Sequence, residues 1–415
     1  MSSRLSTQLG NLRDRISDSD EISKEDKEAI QRFDDRLTIL DDTYGEHRHI
    51  KLLRHVTIIA ENNGHIADSL KNRGAAESIV RWINSTYDNP NTRADYRTAL
   101  RVFGRRVEDE YDDDPPPSID WIKSGTSSDY DPTPDPRKML DWHDDVLPMI
   151  DATFNSRDAA MIAVQFDAGF RGGEFHDPDN PILVSDVDPD GKYGPEVTVE
   201  GRRGRRTVTL TMATPYLLRW LEDHPGGDPN DPLWSGTNSN ASISERMVSK
   251  AFDSAAERAS IHKPVTLTNF RKSSATDLAK RGVSQTHLEN HHGWVRGSRA
   301  AARYISEFQD ESDREVARAR GVEIPPEDEP EPTAPYECHR CDKSTPRNRS
   351  LCVWCGAAMD TESAEKAEQL EDILVEALAA ADGNDAHKIL NFRDTVRDDP
   401  GMMAEALDEI EHLLK

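Results

Sequence analysis

The sequence predicts a multidomain, mainly α protein: a helical domain, a second α/β domain that is mostly helical with a small β-sheet, a small cysteine module, and C-terminal helices. Three observations carry this expectation. The chain has 415 residues, more than one typical core organises, so two to four domains are expected. Two stretches rich in proline and acid, residues 112–136 and 322–335, read as linkers. Apolar residues recur at helical spacing through most of the chain, and strand-like alternation is read at 196–210.

Residues 1 to about 25 are polar and charged and read as a frayed helix. The first domain is placed at 26–125. Leu52, Val56, Ile59 and Ala60 form one apolar face, Ile79, Trp82 and Ile83 a second, and Tyr96, Leu100, Phe103 and Val107 a third. Thr92 with Asp95 reads as a capping arrangement for that third helix. The second domain is placed at 137–316. It opens on a helix through Met161, Ile162, Val164, Gln165 and Phe166 that stops at Gly169. Glu196–Glu200, a turn at Gly201–Gly204, and Arg206–Leu210 read as a β-hairpin, after which helices resume. The cysteine module spans 336–359. An acidic helical tail follows at 361–415, with Leu370, Ile373, Leu374, Ala377 and Leu378 on one face.

The formal net charge is −26 and the pI about 4.9. That balance argues against nucleic acid, which usually meets a basic footprint. The acidic residues are spread along the whole chain, however, and the apolar fraction is only 35%, a composition similar to that of proteins from a salt-rich cytoplasm. In molar salt the Debye length is about 3 Å, so a diffuse acidic surface repels DNA weakly and local arginine clusters decide. No run of 18 apolar residues occurs and Met1–Gly10 lacks an apolar signal core. A soluble, cytoplasmic protein without membrane contact is expected.

The chemistry-bearing residues are sparse. Arg171 lies in Ala168-Gly169-Phe170-Arg171-Gly172-Gly173-Glu174, Arg271 in Thr268-Asn269-Phe270-Arg271, and Tyr304 follows ten positions after Trp294. Two guanidiniums form a clamp for phosphate oxygens, and a tyrosine hydroxyl is a covalent nucleophile. Together they point to metal-free chemistry on a phosphodiester.

With the blocks Asp167–Glu174, Thr268–Thr276 and His292–Ser298 ending at Arg303-Tyr304-Ile305, residues 30–316 resemble the tyrosine recombinase, or phage-integrase-type, family. The last block is similar to the archaeal branch. The resemblance implies that 26–125 is a helical core-binding domain and 137–316 a recombinase catalytic domain, clamped around DNA. It implies that Tyr304 attacks the scissile phosphate to form a 3′-phosphotyrosyl link, that Arg171 and Arg271 hold the non-bridging oxygens, and that Trp294 packs and donates through its indole N–H. It further implies double-stranded DNA with a specific site as partner, a homo-tetramer on two duplexes, no cofactor for catalysis, and site-specific DNA integration or recombination of a mobile element.

Two positions depart from the family pattern. Thr268 stands where the family has histidine, and Arg202 best fits the slot of the hairpin lysine that protonates the leaving 5′-oxygen. Threonine is no base near neutrality and arginine is a poor proton donor. A catalytically degenerate DNA-binding protein of the same fold is therefore the alternative. Arg202, Arg203, Arg205 and Arg206 in the hairpin, with Lys272, are the expected phosphate contacts. Lys272, His291 and His292 are further proton-handling groups by position, with no role assigned.

Cys338-x-x-Cys341 and Cys352-x-x-Cys355, ten residues apart, present four thiolates at a spacing suited to one structural Zn²⁺. The segment resembles a zinc ribbon, with Arg340, Arg347 and Arg349 available for a DNA or protein contact. The acidic tail is expected to pack on a neighbour, a partner's groove or its own chain.

Overall fold

The computed structural model describes residues 4–107, 114–126, 133–201, 204–306, 309–325, 330–381, 384–398, 401–404 and 406–407. Two compact units divide at Pro132 and Thr133. Among the described residues, no helix is long and apolar enough to cross a membrane.

The first unit is built from α1 (Arg4–Asp18), α2 (Lys24–Ile39), α3 (Glu46–Asn62), α4 (Arg73–Thr86), α5 (Pro90–Val107) and the short α6 (Pro117–Asp120). The three predicted stripes meet in one core, where Phe33, Leu53, Val56, Ile59, Ile79, Leu100 and Phe103 are buried. The polar N-terminus does not fray as expected. Leu12 and Ile16 of α1 are buried in that core, and Arg13 and Arg15 pair with Asp34 and Glu61 at 2.7 and 2.6 Å. Its polarity reflects one solvated face of an amphipathic helix. The capping arrangement is also corrected. Asn89 accepts from the Asn91 amide, and the Arg93 amide donates to the Asn89 carbonyl. Pro90 occupies the first turn, so Thr92 and Asp95 lie inside the helix.

In the second unit a π-helical turn (Trp142–Val146) leads into α7 (Leu147–Asp151), α8 (Ser156–Ala168) and the short α9 (Gly172–Phe175). A three-stranded antiparallel sheet follows, β1 (Val187–Asp188), β2 (Glu196–Gly201) and β3 (Gly204–Thr209), in that order. Then come α10 (Thr214–Asp223), a minor hairpin β4 (Ser235–Gly236) and β5 (Ser239–Ser242), α11 (Glu245–Arg258), α12 (Leu267–Lys280), α13 (Gln285–His291), α14 (Arg299–Ser306) and α15 (Gln309–Ala319). Helix α8 is enclosed on nearly all sides, with Ala160, Met161, Ile162, Val164 and Phe166 fully buried, and organises the core of the unit. The β2–β3 register pairs Val197 with Val208, Val199 with Arg206, and Glu200 with Arg205. Strand alternation puts Arg206 on the inward face with buried Val208, and Arg205 on the outward face with Thr207.

The cysteine module carries β6 (Tyr336–Glu337) and β7 (Ser344–Thr345). It docks on α10: Trp354 lies under Lys343 and Arg219 at 4.1 and 5.6 Å, and Lys343 pairs with Glu222 at 2.6 Å. Arg349 pairs with Asp151, and Arg347 donates to the Ala334 carbonyl and covers Tyr336. Two of the three arginines expected for an outside contact are thus engaged within the chain. Helices α16 (Thr361–Ala380) and α17 (Asn384–Asp398) form a hairpin. Leu370 and Val396 meet Leu351 there, while Ile373 is exposed.

Candidate active site

Helix α8 ends at Gly169, whose φ of 55° is left-handed; a Cβ there would lie 2.7 Å from the His292 ring. The chain then turns into α9, and Glu174 folds back so that its carboxylate accepts from the Arg171 amide at 2.9 Å and from Arg171 Nη1 at 2.6 Å. Arg206 Nη2 donates to the same carboxylate at 2.8 Å, and Arg271 Nη1 lies 3.8 Å from it. One nearly enclosed carboxylate, 3% exposed, therefore serves three guanidiniums. Burial pushes Glu174 towards protonation, but the hydrogen bonds and charges of Arg206 and Arg171 reverse this and hold it below its ordinary range.

Helix α13 supplies the other half of the scaffold. His292 is its C-cap and Gly293, at φ 60°, follows it. The Trp294 amide donates to the Glu289 carbonyl at 2.8 Å and the Gly293 amide to the Asn290 carbonyl at 3.2 Å, a Schellman ending. Such an ending leaves the last carbonyls without helical partners. Here three consecutive carbonyls accept from the three arginines: His291 from Arg206 at 2.5 Å, His292 from Arg271 at 2.6 Å, and Gly293 from Arg171 at 2.9 Å. The negative pole of the helix adds to the attraction. Glycine is needed at 293 twice over, because a Cβ would stand 2.8 Å from both Cδ and Nε of Arg206.

Arg271 also donates to the Gly169 carbonyl at 2.7 Å. Burial, and then the charge of Arg171, lowers its pKa to about 9, so it stays a cation at neutral pH. His291 and His292 are lowered by burial and held neutral beneath the arginines. Trp294 stacks on His292 at 4.7 Å and on Tyr304 at 5.6 Å, with Arg271 5.2 Å from its ring. Tyr304, on α14, is 7% exposed among Ala275, Ala279 and Leu288.

Arg171, Arg205, Arg206, Glu174, Asn290 and Trp294 line an open cleft of about 270 Å³. The structure thus brings together Arg171, Arg271, Trp294 and Tyr304, and adds two groups not assigned catalytic roles from sequence, Glu174 and Arg206. Thr268 is exposed on the first turn of α12, one turn before Arg271, and is not among the lining residues. Lys272 is half-buried on the same helix, and Arg205 is exposed beside Asp186 at 3.0 Å. Arg202 and Arg203 lie outside the described residues.

The four cysteine Sγ atoms lie within 4.8 Å of one another. Cys338–Cys355 and Cys341–Cys352 are 3.6 and 3.7 Å apart. A tetrahedral Zn–S₄ site with bonds of about 2.3 Å sets sulfurs about 3.8 Å apart, so the donor set fits such an ion.

Residues 142–311 match the phage integrase family. Among solved structures, the chain is similar to an XerA recombinase (17% identity, TM-score 0.36, covering 72% of this chain and 99% of that one). It is also similar to the XerH site-specific recombinase bound to palindromic difH substrate in a post-cleavage complex (14%, TM-score 0.49, 77% and 95%). A third similar structure is a lambda integrase dimer bound to a COC′ core site (13%, TM-score 0.49, 74% and 81%). No curated protein matches.

Proposed function

We propose that this chain is a tyrosine-type site-specific DNA recombinase that cuts and rejoins double-stranded DNA through a 3′-phosphotyrosyl intermediate. The observation that carries the reading is the convergence of Arg171, Arg271 and Arg206 on Glu174 and three helix-end carbonyls, beside Trp294 stacked on Tyr304. It is supported by the family matched over 142–311. Arg171 and Arg271 hold the non-bridging oxygens and stabilise the charge that grows on them, an effect worth about 3–4 kcal/mol per donor in other enzymes. The Tyr304 hydroxyl gives up its proton as its oxygen bonds to phosphorus, the bond to the 5′-oxygen breaks, and that oxygen takes up a proton in turn. Rejoining reverses these steps, so the phosphodiester energy is kept in the protein link. The Tyr304 ring is packed against Trp294, and its phenol is near enough to Arg271 to interact with that charge. Arg202 stabilises the leaving oxygen, and Arg203, Arg205 and Lys272 contact backbone phosphates. The active assembly is a tetramer on two duplexes, in the salt-rich cytoplasm to which the acidic surface is suited.

Cys338, Cys341, Cys352 and Cys355 would hold one structural Zn²⁺, which ties the two knuckles together and keeps Trp354 docked on α10. A second reading, a DNA-binding protein that no longer cleaves, is favoured by an exposed threonine at 268, where the resembled family has histidine. A nicked suicide duplex bearing the cognate site, in molar potassium chloride, separates the two. The enzyme traps a covalent adduct that Tyr304→Phe abolishes. Tight binding without any adduct establishes the second reading.

A further inference from the structure

The hairpin arginines do not share one task. Arg205 points outward and is 68% exposed at its side chain, whereas Arg206 is turned inward and only 15% exposed. Both terminal nitrogens of Arg206 are engaged, one on Glu174 and one on the His291 carbonyl. Its Nε is enclosed against Gly293, with no hydrogen-bond partner among the described residues. Its guanidinium also lies 5.3 Å from the Phe170 ring, next in sequence to Arg171. Arg206 is thus held on four sides, by Glu174, the His291 carbonyl, Gly293 and Phe170.

We infer that Arg206 is a positioning residue for the phosphate clamp. Resting on the proposed recombinase activity, its role is to fix Glu174 and the α13 ending in register, so that Arg171 presents its guanidinium to the cleft. Three facts support this. Glu174 is the shared acceptor of Arg171 and Arg206. The carbonyls that hold Arg206, Arg271 and Arg171 are consecutive, so a shift of His291 moves the other two. Arg206 comes from β3, next to exposed Arg205, so it ties the hairpin to the clamp. Charge-assisted hydrogen bonds of this kind fix geometry as well as energy, and a small misplacement of a positioning group costs up to a hundredfold in rate.

The test compares Arg206→Gln, Arg206→Lys and Arg205→Gln with wild type in two measurements. Duplex affinity is titrated against salt concentration, and the rate of covalent adduct formation is measured at saturating duplex. A positioning role predicts that Arg206→Gln slows the saturated rate by about ten- to a hundredfold. Its affinity stays within about twofold and its salt slope is unchanged, whereas Arg205→Gln loses about 0.9 of the slope. Arg206→Lys, which keeps the charge beside Glu174, should recover part of the rate. A fall of about 0.9 in the slope for Arg206→Gln, with its saturated rate intact, would make Arg206 a direct phosphate contact and overturn the inference. A variant equal to wild type in every measurement overturns it too. Wild type giving no adduct sinks the recombinase activity itself, while the salt slopes still decide whether Arg206 touches phosphate.

Discussion

Replacing Glu174 by glutamine removes the one carboxylate that three arginines share while preserving its shape. In the wild type it accepts from Arg171 Nη1, the Arg171 amide and Arg206 Nη2 at 2.6, 2.9 and 2.8 Å. The glutamine oxygen can accept only part of that set, and its NH₂ group faces a guanidinium. Removing one partner of a buried ion pair costs about 3–5 kcal/mol. For a unit of this size roughly 1 kcal/mol moves the midpoint by 2–4 °C, so a fall of about 6–20 °C in the second unit is expected by calorimetry. The pH dependence carries a sign. Glu174 is depressed in the fold, so its stabilisation is complete above the unfolded carboxylate pKa of about 4.3 and is lost as pH falls through the lower folded value. The gap between wild type and Glu174→Gln should therefore be full near neutrality and close in acid. Sulfate should raise the midpoint of the variant more than that of wild type, relative to chloride at equal ionic strength, because it replaces the missing anion among the arginines. A variant melting within about 2 °C of wild type at neutral pH, with no added response to sulfate, would show that the Glu174 charge does not hold the arginines together.

Gly293→Ala forces a side chain into left-handed backbone, worth roughly 1–2 kcal/mol, and into Arg206. Adduct formation should fall at least tenfold, and an unchanged rate would show that the helix ending tolerates the clash. Purified wild type should carry about one zinc per chain by metal analysis. Cys341→Ser should lose it and make the cysteine module sensitive to protease; full metal content in the variant would exclude a four-cysteine site. Thr268→His combined with Arg202→Lys should raise the saturated cleavage rate by on the order of a hundredfold, since positioned proton transfer contributes at least that much. No gain would mean that another group already supplies the proton.

Much of the fold is legible in the sequence because its elements are held by simple periodicity. The α3, α4 and α5 stripes and the β2–β3 alternation predict the buried residues found there. Helix α1 is less legible, since only Leu12 and Ile16 mark its buried face and its docking also uses Arg13 and Arg15 on acids far along the chain. At the site, Arg171, Arg271, Trp294 and Tyr304 are visible as motif residues. The roles of Glu174 and Arg206 depend on contacts across tens of residues, which spacing alone does not reveal. Two local signals did point to them: Glu174 stands three positions after Arg171, at a helix start where it can fold back, and Arg206 shares strand parity with apolar Val208. The carbonyl row is similarly encoded by Gly293, the left-handed residue of a Schellman ending.

The proposed reaction turns on Tyr304 forming the covalent bond to DNA. Its most direct measurement is mass-spectrometric mapping of the adduct trapped on a suicide duplex, after protease and nuclease digestion. A single modified peptide is expected, with a nucleotide 3′-phosphate on Tyr304, and it should be absent from Tyr304→Phe. A nucleotide on any other residue, or an adduct that persists in Tyr304→Phe, would contradict it.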